Sequence, residues 1–215
     1  MKKPPRLLSE VEFGTFLVYS PRGKSETSKK SRKNRDNVKQ DKPGFLKTAV
    51  DRLKDVLSSA GLEEFLGPQV TLVPAPRSAP LVGKDALWPG LRICEELVKC
   101  GLGKEILPCL SRTKKVAKSA FAAPGERAGV QEHLESMEVE RLLVAPVAIT
   151  VVDDFVTKGA TLLAAATLVK DAFPSSAVRV FALVRTMGLI PDVERTVEPC
   201  KGRIWLEGSE VRREP

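Results

Sequence analysis

Long apolar runs are missing from this 215-residue chain: none approaches the about eighteen residues needed to cross a bilayer. A spanning helix is therefore excluded. The amino terminus is basic over Met1 to Arg6, but Ser9, Glu10 and Glu12 interrupt any apolar core of a signal peptide, so a cytoplasmic location is expected. Cysteine is scarce and unpatterned. Cys94, Cys100, Cys109 and Cys200 form no C-x-x-C pair, which argues for reduced thiols and against a zinc module. There is one histidine, His133. It lies in a polar helical stretch from Val130 to Met137, where an exposed side chain is expected rather than a general base.

The composition that remains, 42% apolar and 29% charged, is that of a soluble globular chain, and its length suits one domain over residues 1–215. The net charge of +8 is concentrated. Residues 22–42 hold nine Lys or Arg against three acids, which leaves only +2 for the rest. With Val38 as its only aliphatic residue, this segment reads as a mobile basic loop or arm. Such an arm suits nucleic acid or an acidic protein as partner, although the lack of aromatic residues argues against base stacking.

The most informative stretch runs from Ile149 to Thr161. Ile149-Thr150-Val151-Val152 has no polar face and suits a parallel strand covered on both sides. Asp153 and Asp154 follow at its carboxyl end, where open α/β sheets place their ligands. Alternation lets only one of them point straight into the crevice, so the second is expected to act from the turn. Thr157-Lys158-Gly159-Ala160-Thr161 then leads into an Ala- and Leu-rich helix. Unpaired amides at that helix start, a glycine that permits close approach and threonine hydroxyls together make an anion site suited to a phosphomonoester. Carboxylates beside a phosphate site make sense if they accept hydrogen bonds from neutral hydroxyls. Ribose 5-phosphate has that layout.

Elsewhere the pattern predicts strands over 11–19, 69–73, 149–152 and 177–184, a short strand at 106–107 and a last edge strand at 202–206. Helices are predicted over 44–60, 88–101 and 160–173, and a long loop over 111–130. The alternation implies an α/β fold with a mostly parallel central sheet flanked by helices, joined by right-handed crossovers. The stiff turn Pro74-Ala75-Pro76-Arg77-Ser78 should then emerge at the same sheet edge as Asp153.

The stretch of strand, Asp153-Asp154, two variable residues and Thr157-Lys158-Gly159-Ala160-Thr161 resembles the ribose-phosphate signature of type I phosphoribosyltransferases. Lys158 stands where that family usually has a second small hydroxyl residue. The resemblance implies that family's fold with a small variable hood, and Mg²⁺-dependent chemistry on phosphoribosyl pyrophosphate (PRPP). It assigns the ribose hydroxyls to Asp153 and Asp154, and the 5-phosphate to Val156, Thr157, Lys158, Gly159, Ala160 and Thr161. Arg77, with Ser78, is placed at the pyrophosphate, which adds Arg77 to Asp153 and Asp154 as a catalytic candidate. More narrowly, Arg112-Thr113 and the later Glu126-Arg127 pair resemble the ComF-like branch over residues 68–187, without its zinc module or its Arg-Gly-Phe-Asn-Gln segment. By that resemblance Arg112, Lys114, Lys115 and Arg127 belong to a lid over the departing pyrophosphate.

The implied activity is transfer of phosphoribose to a nitrogen base, or the reverse pyrophosphorolysis of a nucleotide, with the acceptor open. Two other readings stand beside it: a non-catalytic regulator that binds PRPP or a nucleotide, and a ComF-like accessory associated with nucleic acid or an anti-phage toxin component. No membrane partner is expected, and a homodimer is compatible with this architecture.

Overall fold

The computed structural model describes residues 5–81, 83, 86–116, 128–188, 190 and 192–215. Its centre is a seven-stranded sheet in the order β3-β2-β6-β7-β1-β8-β9. Five strands are parallel: β3 (Glu105–Ile106), β2 (Val70–Pro74), β6 (Ala148–Val156), β7 (Ala177–Thr186) and β1 (Glu10–Tyr19). The sheet is completed by β8 (Val197–Glu207), antiparallel to β1, and β9 (Glu210–Glu214), antiparallel to β8. A separate two-stranded ribbon pairs β4 (Leu110–Arg112) with β5 (Met137–Val139). The predicted edge strand at 202–206 is thus the inner strand of a hairpin. Gly208, at φ +60°, turns the chain so that Glu207 pairs with Glu210. The outer strand carries only one buried apolar residue, Val211, so its sequence gives no alternating signal.

Helices cover both faces. On one side, α2 (Phe45–Val56) buries Leu46, Ala49, Val50 and Leu53, and α3 (Pro89–Lys99) buries Ile93, Cys94 and Leu97, both at helical spacing. These pack with Val152, Phe181 and Leu183 of the sheet. On the other side, α5 (Ala160–Ala172) is buried continuously from Leu162 to Val169 against Ile149, Val151, Val180 and Ala182. A strand with one face in each cluster has no solvated side, which is why β6 reads as an unbroken apolar run.

Residues 22–42 are not a loop. They contain α1 (Glu26–Lys39), capped by Ser25, whose hydroxyl accepts the Ser28 amide at 3.1 Å. The buried face of α1 is made of Ser28, Ser31 and Val38. Ser31 Oγ donates to the Ser28 carbonyl at 2.7 Å and accepts the Ser20 amide at 3.0 Å, while Ser28 Oγ donates to Asp192 at 3.0 Å. Hydroxyls with internal partners can be buried in place of methyls, so the apolar periodicity that marks most packed helices is absent here. The stretch 111–130 is also more ordered than a loop at both ends, through β4 and the short α4 (Val130–Glu135). Within that segment, residues 117–127, Arg127 among them, lie outside the described residues.

Candidate functional site

The parallel strands β2, β6, β7 and β1 all end at one edge of the sheet, where Asp153, Asp154, the loop before α5 and the turn that carries Arg77 are found. β6 does not stop before its acids but runs through both, with Asp153 opposite Ala182 and Phe155 opposite Val184. Asp153 and Asp154 therefore take opposite faces, and the expectation that the second acid acts from a turn is corrected by this register. Asp154, 8% exposed, faces α1, where Lys39 Nζ meets its Oδ2 at 2.5 Å. Asp153 faces the α5 side, where the charge of Arg112 reaches it. Its Oδ1 accepts the Asp154 amide at 2.8 Å. Burial, and then the neighbouring Asp154, push the Asp153 carboxyl above the ordinary range, with Lys39 pulling the other way. Asp153 thus resists taking a negative charge beside Asp154.

Above Asp154 the ammonium of Lys39 lies 4.7 Å from the centre of the Phe155 ring, and Tyr19 meets that ring edge-on at 6.0 Å. Arg35 covers Tyr19 and donates to its hydroxyl at 3.1 Å. Two cations of α1, Lys39 and Arg35, thus lie with the rings of Tyr19 and Phe155 over Asp154.

The loop after β6 has the form an anion site needs. Gly159 adopts φ +99° at the start of α5, where no side chain among the described residues caps the first turn. A Cβ there would stand 2.7 Å from Ile204 Cδ1, so both backbone and packing call for glycine. Lys158 turns away to Glu210 of β9, at 3.5 Å between two exposed side chains, and its long side chain does not fill the loop. Thr157 Oγ1 lies 3.5 Å from Thr186 Oγ1, and Ala160 is half-buried. Val156 is buried with the α5-side core, so its side chain packs rather than binds.

The turn after β2 begins with the Ala75 amide donating to the Val152 carbonyl at 2.8 Å, which lays it beside β6. Arg77 there is half-buried. Arg112 is not a lid residue. It is 6% exposed, with Nε on the Arg77 carbonyl at 2.8 Å and Nη1 on Ser136 Oγ at 2.7 Å. Burial pulls its pKa down, against the opposing pull of Asp153. Lys114 and Lys115 are exposed on the strand's continuation, and the Val116 amide donates to the Ser78 carbonyl at 2.8 Å.

His133 overturns the expectation of an exposed side chain: it is 2% exposed. Its Nδ1 lies 3.4 Å from Arg112 Nη1 and its Nε2 3.2 Å from Thr161 Oγ1. Burial first, and Arg112 second, lower its pKa to about 4. A signal for this was present, since His133 follows the apolar Val130 at helical spacing on α4 and both are buried. No comparable signal marks Lys39, which enters the site through the unforeseen helix.

No protein-family model and no curated protein matches the chain. Among the described residues no group of three or more His, Cys, Asp or Glu side chains is placed to hold a metal ion. No helix among the described residues is long and apolar enough to cross a membrane.

Proposed function

We propose that the chain binds PRPP and transfers its phosphoribosyl group to a nitrogen base, or runs the reverse pyrophosphorolysis of a nucleotide. One observation carries this reading: an acid pair on the central parallel strand is followed within one turn by an uncapped helix start behind a positive-φ glycine. Hydroxyl-accepting and phosphate-accepting groups thereby follow one another along the chain between β6 and α5. The Arg77 turn of β2 supplies the third part, a basic residue at the same edge for the pyrophosphate.

In the transfer, the bond from the anomeric carbon to the pyrophosphate oxygen breaks and its electron pair leaves with the pyrophosphate. The lone pair of the acceptor nitrogen forms the new bond from the opposite face, and the nitrogen's proton passes to solvent. Asp153 and Asp154 hold the 2′ and 3′ hydroxyls and stabilise the cationic ribosyl centre, while Arg77 faces the leaving group. Ribose hydroxyls must take Asp154 over from Lys39, so substrate entry and movement of that ammonium are one event. Mg²⁺, which prefers ligand oxygens and water, would be held on the pyrophosphate itself with no protein ligand assigned to it, and would there neutralise charge on the leaving group.

Calorimetric titration with PRPP and Mg²⁺, followed by pyrophosphate-release assays over a panel of bases and nucleotides, tests the reading. Binding with release is expected, and both should be lost when Asp153→Asn and Asp154→Asn are combined. Binding without release points to a regulator instead, and undiminished affinity in the double variant removes the site assignment.

The basic segment around α1 favours a second reading, a polyanionic partner such as nucleic acid. Arg22 and Lys24, just before α1, and Lys30 and Lys33, on it, are exposed and make no ion pair among the described residues, and the last residue of that helix touches Asp154. Changing these four to Gln should flatten the salt dependence of oligonucleotide binding by about three to four units of slope. An unchanged slope excludes these four residues as the contact.

A further inference from the structure

The one histidine has no part in the chemistry proposed above, yet it is buried between two parts of the site. Its hydrogen bonds fix its state. A guanidinium has no lone pair to offer, so Arg112 Nη1 can only donate, and His133 Nδ1 must accept. The neutral ring then carries its proton on Nε2 and donates it to Thr161 Oγ1. Neutrality agrees with the lowered pKa of about 4. Thr161 is left with its own hydroxyl hydrogen and no acceptor for it among the described residues. Thr167, two turns later on α5, donates back to the Leu163 carbonyl at 2.8 Å, the usual outlet for a helical threonine. Thr161 has no such bond.

We infer that His133, held by Arg112, is a positioning residue that keeps the Thr161 hydroxyl a pure donor aimed at an anion in the loop before α5. The inference rests on the phosphate-binding reading of that loop. Its chemical consequence is selectivity for an acceptor-only oxyanion, of which the 5-phosphate dianion of a sugar phosphate is the fitting class. The same arginine donates to the Arg77 carbonyl, so one chain of hydrogen bonds runs from the turn after β2 through Arg112 and His133 to the first turn of α5. The two anion-facing segments share a buried strut.

A thermodynamic cycle on ribose 5-phosphate affinity, measured by calorimetry at pH 7.5, tests this. His133→Phe and Thr161→Val should each weaken binding about fivefold, the scale of one neutral hydrogen bond. The combined variant should be no weaker than Thr161→Val alone. His133→Gln can accept from Arg112 and donate to Thr161, and should retain affinity within about twofold. Additive losses, or full affinity in His133→Phe beside a weakened Thr161→Val, overturn the inference while leaving the phosphate loop in place. No binding by the unaltered protein overturns the loop reading and the inference with it. Should His133→Phe not fold, the same question is answered without substitution, because the protein has a single histidine to label with ¹⁵N. The imidazole should report the Nε2–H form throughout, with its Nε2 signal moving on addition of ribose 5-phosphate. A ring protonated on Nδ1, or an Nε2 signal indifferent to the ligand, refutes the assignment.

Discussion

Replacing His133 with Gln should change how the protein's stability responds to acid. The native imidazole has its pKa lowered from 6.5 to about 4, because burial and the adjacent Arg112 oppose its protonation. As pH falls below 6.5 the unfolded chain gains a proton that the native state refuses, so folding stability drops through that window. The contribution is intact above pH 6.5 and fully lost below about 4. At about 1.4 kcal/mol per pH unit, the whole window is worth about 3 kcal/mol. Other groups titrate in the same range. Asp153, with its pKa raised, holds a proton that the unfolded chain releases, so its contribution runs the opposite way and declines as pH rises. That term is common to both proteins and cancels in their difference. Urea unfolding followed by the fluorescence of Trp88 and Trp205 at several pH values from 4.5 to 7.5 gives the difference directly. At pH 7.5 the unaltered protein should be the more stable by about 1 kcal/mol, for better fit of the ring. Near pH 4.5 the order should reverse, with the variant ahead by about 2 kcal/mol. Parallel curves would falsify both the burial and the neutrality of His133.

Two further outcomes are expected. Gly159→Ala forces a side chain into positive φ and within 2.7 Å of Ile204, and should cost about 2 kcal/mol in unfolding experiments; a loss below about 0.5 kcal/mol would show the loop free to adjust. Lys39→Met removes a cation that lowers the Asp153 pKa, so the Asp153 carboxyl should titrate at higher pH by ¹³C NMR, while stability changes by less than about 1 kcal/mol because the lysine is half-exposed; an unmoved titration would show that Lys39 does not engage the acid pair in solution.

The parallel core was legible because its strands are buried on both faces: Ile149 to Val152 and Val178 to Val184 announce themselves by β-branched and apolar runs. The loop after Phe155 was legible too, since a glycine between threonines ahead of an alanine-rich helix is a pattern that few structural roles require. Helix α1 was not legible, since a face built of Ser28 and Ser31 looks like a solvated one until their hydrogen-bond partners at Ser20 and Asp192 are seen. Those partners lie far apart in sequence. Arg112 shows the complementary difficulty: a basic residue in a basic stretch reads as free charge, and only the fold brings the Arg77 carbonyl and Ser136 to it. His133 lies between these cases, with the right helical face but a polar setting that argued the other way.

The opposed directions of Asp153 and Asp154 have a mechanical consequence. The layer on one face of the sheet reaches the rim through Lys39, and the layer on the other through Arg112, so each acid belongs to a different half of the molecule. A diol held by both carboxylates therefore acts as a rivet through the rim. Its arrival should slow amide exchange in α1 and α4 together, although these two helices lie on opposite sides of the sheet.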